Sequence, residues 1–366
     1  MIAVKLLPLL ALAAMAAAPA QPIPASLPRS QHAGPFASGH VQGIAVDRKR
    51  GYIYYAFTNL LAKYDFHGRL VGTLVGWSGH LGDLDFNDAD GRVYGSLEYG
   101  RQSTFYIAVI DGEKIDRIGI RAQESGLIRI VPLPEVARDY AAPGHRYGCS
   151  GIDGVAFGPA FGRTGGKLYL TVAYGIYGDT ARADNDHQVL LQYDAADWSR
   201  TARHLDEAEP HRDGPQPRSK VFVRTGNTRY GVQNLAYDPS RQRWLMGVYK
   251  GAKPSFPNYG LYAVEARAKP SRGDLLGVAA PGGGRWERGM LLPLAPEGRG
   301  DPRSGVRGWH QKADVGLQPL GEGLYLLAVN EGGPQAQSAR VTLMRWAEGA
   351  DAPLVPITGA KEAAGR

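Results

Sequence analysis

Two histidines, His40 and His80, open stretches of the same kind, HVQGIAVD (40–47) and HLGDLDF (80–86), each followed by a short polar turn and an aromatic strand-like run. Imidazole titrates near neutral pH, so a pair brought together can exchange protons as acid and base or ligate a divalent metal. Carboxylates stand at matching points: Asp83 inside the second stretch and Asp153 inside GIDGVAFGP (151–159) are the residues that would join the histidines around such a metal. GVQNLAYDP (231–239) offers Gln233 and Asn234 at the equivalent place, as HVQGIAVD offers Gln42.

A second set of polar residues ends the run that follows each of these stretches: Asn59, Glu98 with Tyr99, Tyr174 with Tyr177, Tyr249 with Lys250, and Asn330 with Glu331. A phenol can donate a proton or stack on a sugar ring, and a guanidinium or ammonium can pair with a carboxylate or sulfate. Arg146, Arg229 and Tyr230, with His145, Asp179 and His310, lie in the longer connections and can add to the set. Glu98 and Glu331 are a glycosidase pair if their separation suits one. Each type also has a plain structural use: histidine locking a neighbouring backbone, tyrosine filling a strand, a loop cation facing water. No nucleophile elbow, HExxH, phosphate loop or dinucleotide fingerprint is present.

These residues share a face only if a repeating element puts them there. The stretch 78–100 shows that element most clearly, with HLGDLDF and RVYGSLEY (92–99) as strands around the turn NDADG (87–91). Matched as a calcium loop from Asp85, NDADG has Ala89 at a ligand position and Asp90 where glycine belongs, so a turn is expected. Four-strand units recur from His40, His80, Gly151 and Gly231, with a weaker fifth unit from Asp314. Strands such as YIYYAF and KLYLTVAY are apolar almost throughout, as sheets covered on both faces require. The expected fold is all-β, a β-propeller of five four-stranded blades, or six if a long insertion hides one. The fourth blade is expected to end with a strand at 288–296. In a propeller the starts of inner strands and the ends of second strands fall on one face. There these side chains are expected to form a polar cup around the axis, served by the long connections 174–186, 206–230, 251–259 and 296–313.

Of the 366 residues, 49 are glycine and 25 proline, dispersed as many short strands and turns require. Segment 1–20 carries Lys5, an apolar run and Ala18-Pro19-Ala20, the pattern of a secretory signal peptide. An extended lead-in over 21–39, one propeller domain over 40–359 and a tail over 360–366 complete the expected layout. The apolar run falls short of the ~20 residues that a membrane-crossing helix needs. Cys149 is the single cysteine, so no intramolecular disulfide can form. The formal net charge of +7 favours acidic ligands by long-range attraction, while export argues against nucleic acid as the partner. The expected protein is a periplasmic or secreted monomer whose partner is an acidic glycan or a small molecule. No motif fixes a cofactor.

The blade starts HVQGIAVD, HLGDLDFND, GIDGVAFGP and GVQNLAYDP resemble those of exported bacterial β-propeller proteins over nearly all of the mature chain. The cup of His, Tyr, Arg and Lys is also similar in residue type to the sites of propeller polysaccharide lyases, which act on uronic-acid-containing glycans. That resemblance implies a basic residue that neutralises the uronate carboxylate, a base for the C5 proton and an acid for the leaving oxygen. The residues suited to these tasks here are His40, His80, Tyr99, Tyr177, Arg229 and Lys250. A hydrolase similar to metal-dependent lactonases would instead use Glu98, Asp83 or Asp153 as oxygen ligands. A glycan-binding or protein-interaction propeller without catalysis is the third expectation.

Overall fold

The computed structural model describes residues 27–357, so the leader at 1–20 and the tail at 360–366 lie outside the described residues. Five blades form a ring, a five-bladed β-propeller. Blade one is an antiparallel meander of Gly43–Asp47, Tyr52–Phe57, Leu60–Asp65 and Leu70–Val75. Tyr54, Tyr55 and Phe57 are all buried although they point to alternate faces, because neighbouring blades cover both sides of the sheet. Blade two follows as His80–Asn87, Arg92–Tyr99, Thr104–Ile110 and Ile128–Pro132. Its NDADG segment is a turn held by its own side chains: Asn87 Oδ1 accepts from Ala89 N at 3.1 Å and Asp90 Oδ1 from Arg92 N at 3.1 Å.

Blade three comprises Cys149–Pro159, Leu168–Ile176, His187–Tyr193 and Ser219–Arg224. Blade four pairs only three strands, Arg229–Asp238, Arg243–Tyr249 and Leu261–Glu265. The fourth strand expected there is displaced. Arg288–Leu291 runs parallel to the outer strand of blade three through Phe222 and Leu291, with Ser271–Asp274 beyond it. The reason is apolar cover: Leu291 packs into the blade-three core, while Trp309 bridges to Leu261 and closes the outer edge of blade four. Blade five is Gly316–Gly321, Leu324–Gly333 and Ala336–Trp346, and its outer position is shared by Ser30–Phe36 and Leu354–Pro356. The lead-in therefore contributes a strand to the last blade and helps close the ring. Asn330 adds a second closure, accepting from Val41 N at 2.8 Å and donating to Val41 O at 3.2 Å.

Blade two also supplies the hub of the ring. Asp83 Oδ2 accepts the backbone N–H of Val155 in blade three at 3.0 Å and of Leu235 in blade four at 2.9 Å. Asn234 Nδ2 donates both to Asp83 Oδ1 at 2.9 Å and to Gln42 O beside blade one at 2.9 Å. Asp85 extends the set by accepting from Phe157 N at 2.7 Å and from Gln318 of blade five at 3.3 Å. The two carboxyls of one GDLD motif thus bond directly to blades three, four and five and reach blade one through the Asn234 amide. Burial lifts the Asp83 carboxyl well above the ordinary carboxylate range and brings Asp85 to about 6. The inner strands approach so closely that a Cβ at Gly43 would overlap the Asp83 backbone, which only glycine avoids.

Candidate functional site

A cavity of about 600 Å³ opens where the inner strands begin. His40 and Gln42 come from the entry to blade one, His80 and Glu98 from the first two strands of blade two, and Arg101 from the turn after them. Blade three contributes Ser150 and Asp153 with Tyr177 just beyond its second strand, and blade four contributes Tyr230, Gln233 and Tyr249. Tyr140 completes the wall from the helix Pro134–Ala141, which starts with proline at its first turn.

The histidines sit in opposite electrostatic settings. His40 Nε2 lies 2.8 Å from Gln42 Nε2 and 3.4 Å from the Tyr249 hydroxyl. Burial and then the charge of His80 push His40 below its ordinary value, so this ring is neutral near pH 7. His80 faces Glu98 directly across the strand pair, with Nδ1 3.6 Å from Oε1. Burial alone would lower it, but the close Glu98 carboxylate, reinforced by Asp153, outweighs burial and raises it above 6.5. The two rings are thus biased in opposite directions, His40 toward the neutral form and His80 toward the protonated one.

Glu98 is held by its second oxygen, which accepts Ile152 N at 3.2 Å. The adjoining Gly151, at φ +138, makes room for that carboxylate, since a Cβ there would collide with Glu98 Oε2. Asp153 is 8% exposed and accepts from Gln233 Nε2 at 2.8 Å. Burial and the nearby Glu98 charge raise its carboxyl well above the ordinary range. Replacing Glu98 with glutamine keeps an acceptor for Ile152 and removes the charge opposite His80. The His80 imidazole in Glu98→Gln is then expected to titrate below its wild-type value in an NMR pH titration; an unchanged titration would contradict the pairing.

The cavity brings together His40, His80, Tyr177, Gln42, Glu98, Tyr230, Gln233, Tyr249 and Asp153 from the residues singled out in the sequence. It leaves out Tyr99, whose buried hydroxyl donates to Glu207 Oε1 at 2.7 Å, and Arg146, which donates to Glu287 Oε1 at 2.6 Å. Arg229 and Lys250 are exposed and do not line it. The physical reason is alternation: consecutive residues of a strand point to opposite faces, so Glu98 and Tyr99, or Tyr249 and Lys250, cannot both face the axis. Tyr174 is likewise core, donating to Asp139 Oδ2 at 3.0 Å. Asp83 cannot serve as the metal ligand expected of it, because it is 2% exposed and both its oxygens accept protein N–H groups. Among the described residues no group of three or more His, Cys, Asp or Glu is placed to hold a metal ion.

Arg101, Tyr140 and Ser150 belong to the cavity and were not singled out. Arg101 lies two residues beyond a second-strand end, so the rule that found Glu98 and Tyr177 extends to it. Tyr140 was hidden in what reads as an irregular insertion, although Pro134 and Glu135 followed by buried Val136 carry a helix-start signal.

No protein-family model matches the chain, and no curated protein does. Among solved structures it is similar to a Dos1 propeller, with a TM-score of 0.34 and 14% identity over 63% of this chain and 48% of that one. A chain of a mitotic checkpoint complex matches with a TM-score of 0.34 and 10% identity, covering 83% of this chain and 63% of that one. An exo-β-1,3-galactanase from Phanerochaete chrysosporium, solved with β-1,3-galactotriose, matches with a TM-score of 0.41 and 9% identity, covering 88% and 63%. The chain spans less than two thirds of the length of each. At this level of likeness nothing about binding or catalysis transfers, and the propeller assignment stands on the chain's own five blade sheets. Among the described residues no helix is long and apolar enough to cross a membrane.

Proposed function

We propose that this protein is an exported carbohydrate-active propeller that cleaves uronic-acid-containing glycans by β-elimination in the axial cavity. The observation that carries the reading is the neutral His40 beside the Tyr249 hydroxyl, with the His80–Glu98 pair in the same cavity. His40 takes the C5 proton, whose bonding pair becomes the C4–C5 double bond as the C4–O bond breaks. The leaving oxygen takes the Tyr249 proton, and the proton held on His40 restores the phenol. Burial keeps Tyr249 protonated far above neutral pH, as a donor in this step must be. The His80 imidazolium and Arg101 oppose the substrate carboxylate and stabilise the charge that develops on it. A periplasmic or secreted location belongs to the same proposal and rests on the leader-like segment 1–20.

Glycoside hydrolysis is the second reading, favoured by Asp153, a buried carboxyl with a raised pKa near Glu98, since unlike environments are what separate acid and base roles. Incubation with a panel of acidic glycans decides between them. Ultraviolet absorbance of an unsaturated uronate is the expected result. New reducing ends without that absorbance would favour hydrolysis, and saturable binding without any product would leave a glycan-binding propeller.

A further inference from the structure

A second cavity, of about 660 Å³, lies away from the axis at the outer edge of blade three, where the segments 291–296 and 304–307 pass over the outer strands. His187 lines it while only 1% exposed, and its Nδ1 has no hydrogen-bond partner among the described residues. Arg224 lines it too. Its Nε is buried and unpartnered in the same sense, while Nη1 donates to Ser304 O at 2.8 Å. The two residues are direct partners across adjacent strands, which puts both side chains on one face of the sheet. Burial, and after it the Arg224 charge, lowers His187 to about 4, so the ring is a neutral imidazole beside a fixed cation.

Native interiors seldom leave such polar groups without partners, and two on one wall indicate that something is meant to meet them. The charge around them indicates what. Lys269 and Arg307 stand exposed at the cavity, and its single acid, Asp274, already faces Arg288 at 3.6 Å. Apart from Ser271 and Ser304, the remaining wall is mostly apolar, with Leu291, Leu292, Pro293 and Val306 in it. We propose that this cavity binds a small organic carboxylate, with its oxygens on the cationic side beside the His187 ring and the Arg224 guanidinium and its hydrocarbon body against the leucine and proline wall. None of the axial residues takes part.

The test is an NMR titration of the full chain with 15N-labelled histidine, following the His187 ring against benzoate, benzyl alcohol and inorganic sulfate. Benzoate is expected to move the His187 signals saturably, and benzyl alcohol to leave them in place. Arg224→Gln should weaken benzoate about tenfold, the loss expected for one charge-assisted hydrogen bond. Lys269→Gln, at the exposed mouth, should weaken it about twofold to threefold, and it keeps the test decisive if the buried substitution misfolds. A folded wild-type protein whose His187 ignores benzoate overturns the proposal. An equal response to benzyl alcohol overturns it in favour of an apolar pocket, and an equal response to sulfate in favour of an adventitious anion only. The His187 ring reports this cavity alone, so the outcome is independent of whether the axial cavity is catalytic.

Discussion

Turnover of an acidic glycan is expected to fall about 10²- to 10⁴-fold in His40→Ala, the usual contribution of a positioned general base, with substrate binding weakened far less. The wild-type pH profile of kcat/KM should be bell-shaped, and its two limbs have opposite origins. His40 must be neutral, and burial with the nearby His80 charge puts its titration below 6.5, which sets the rising limb. His80 must be charged, and Glu98 keeps it protonated to above 6.5, which sets the falling limb. Residual activity in His40→Ala should lose the rising limb and keep the falling one. Steady-state kinetics across this range check both points. An unaltered profile with full activity would remove His40 from the chemistry while leaving the cavity as a binding site.

The largest expected effect on stability comes from Asp83→Ala. The substitution strips acceptors from the N–H groups of Val155 and Leu235 and from the Asn234 amide, all at the crowded axis. A loss of about 3–5 kcal/mol in unfolding free energy is expected, the range for breaking a buried charged or polar cluster from one side. The pH dependence has a definite sign. Burial raises the Asp83 carboxyl above its unfolded value of 3.8, so the stability it supplies is fullest below that value and declines as pH rises through the folded value. The penalty of Asp83→Ala should accordingly be larger near pH 5 (roughly) than near pH 8 (roughly). Urea denaturation of both proteins at the two pH values measures it, and a penalty equal at both would mean that folding does not raise the Asp83 carboxyl.

Much of this architecture is written locally. Blade starts such as HLGDLDF and GIDGVAFGP, and doubly apolar runs such as YIYYAF, locate the inner and second strands, because strand alternation and turn chemistry act over a few neighbouring residues. Once inner strands share an axis, residues at their starts must converge, and that is why His40, His80, Asp153 and Gln233 are legible as one group in the sequence. Residues at consecutive positions were harder to sort. A register difference of one residue decides whether Glu98 or Tyr99 faces the axis, and that register is fixed by pairing with another strand.

Long connections were not legible in the same way. The run at 288–291 has the composition of a strand, but which sheet accepts it depends on where Phe222 and Leu291 meet, far apart in the chain. The sharing of the outer place in blade five by Ser30–Phe36 and Leu354–Pro356 is likewise a closure between the two ends of the described chain. His40 and His80 show the division most plainly. Their type and their place at strand starts follow from the sequence, since the chain's local pattern sets both. Their opposite shifts, His40 lowered beside Tyr249 and His80 raised beside Glu98, belong to the tertiary structure alone, because burial and the nearest countercharge are properties of what folding brings alongside.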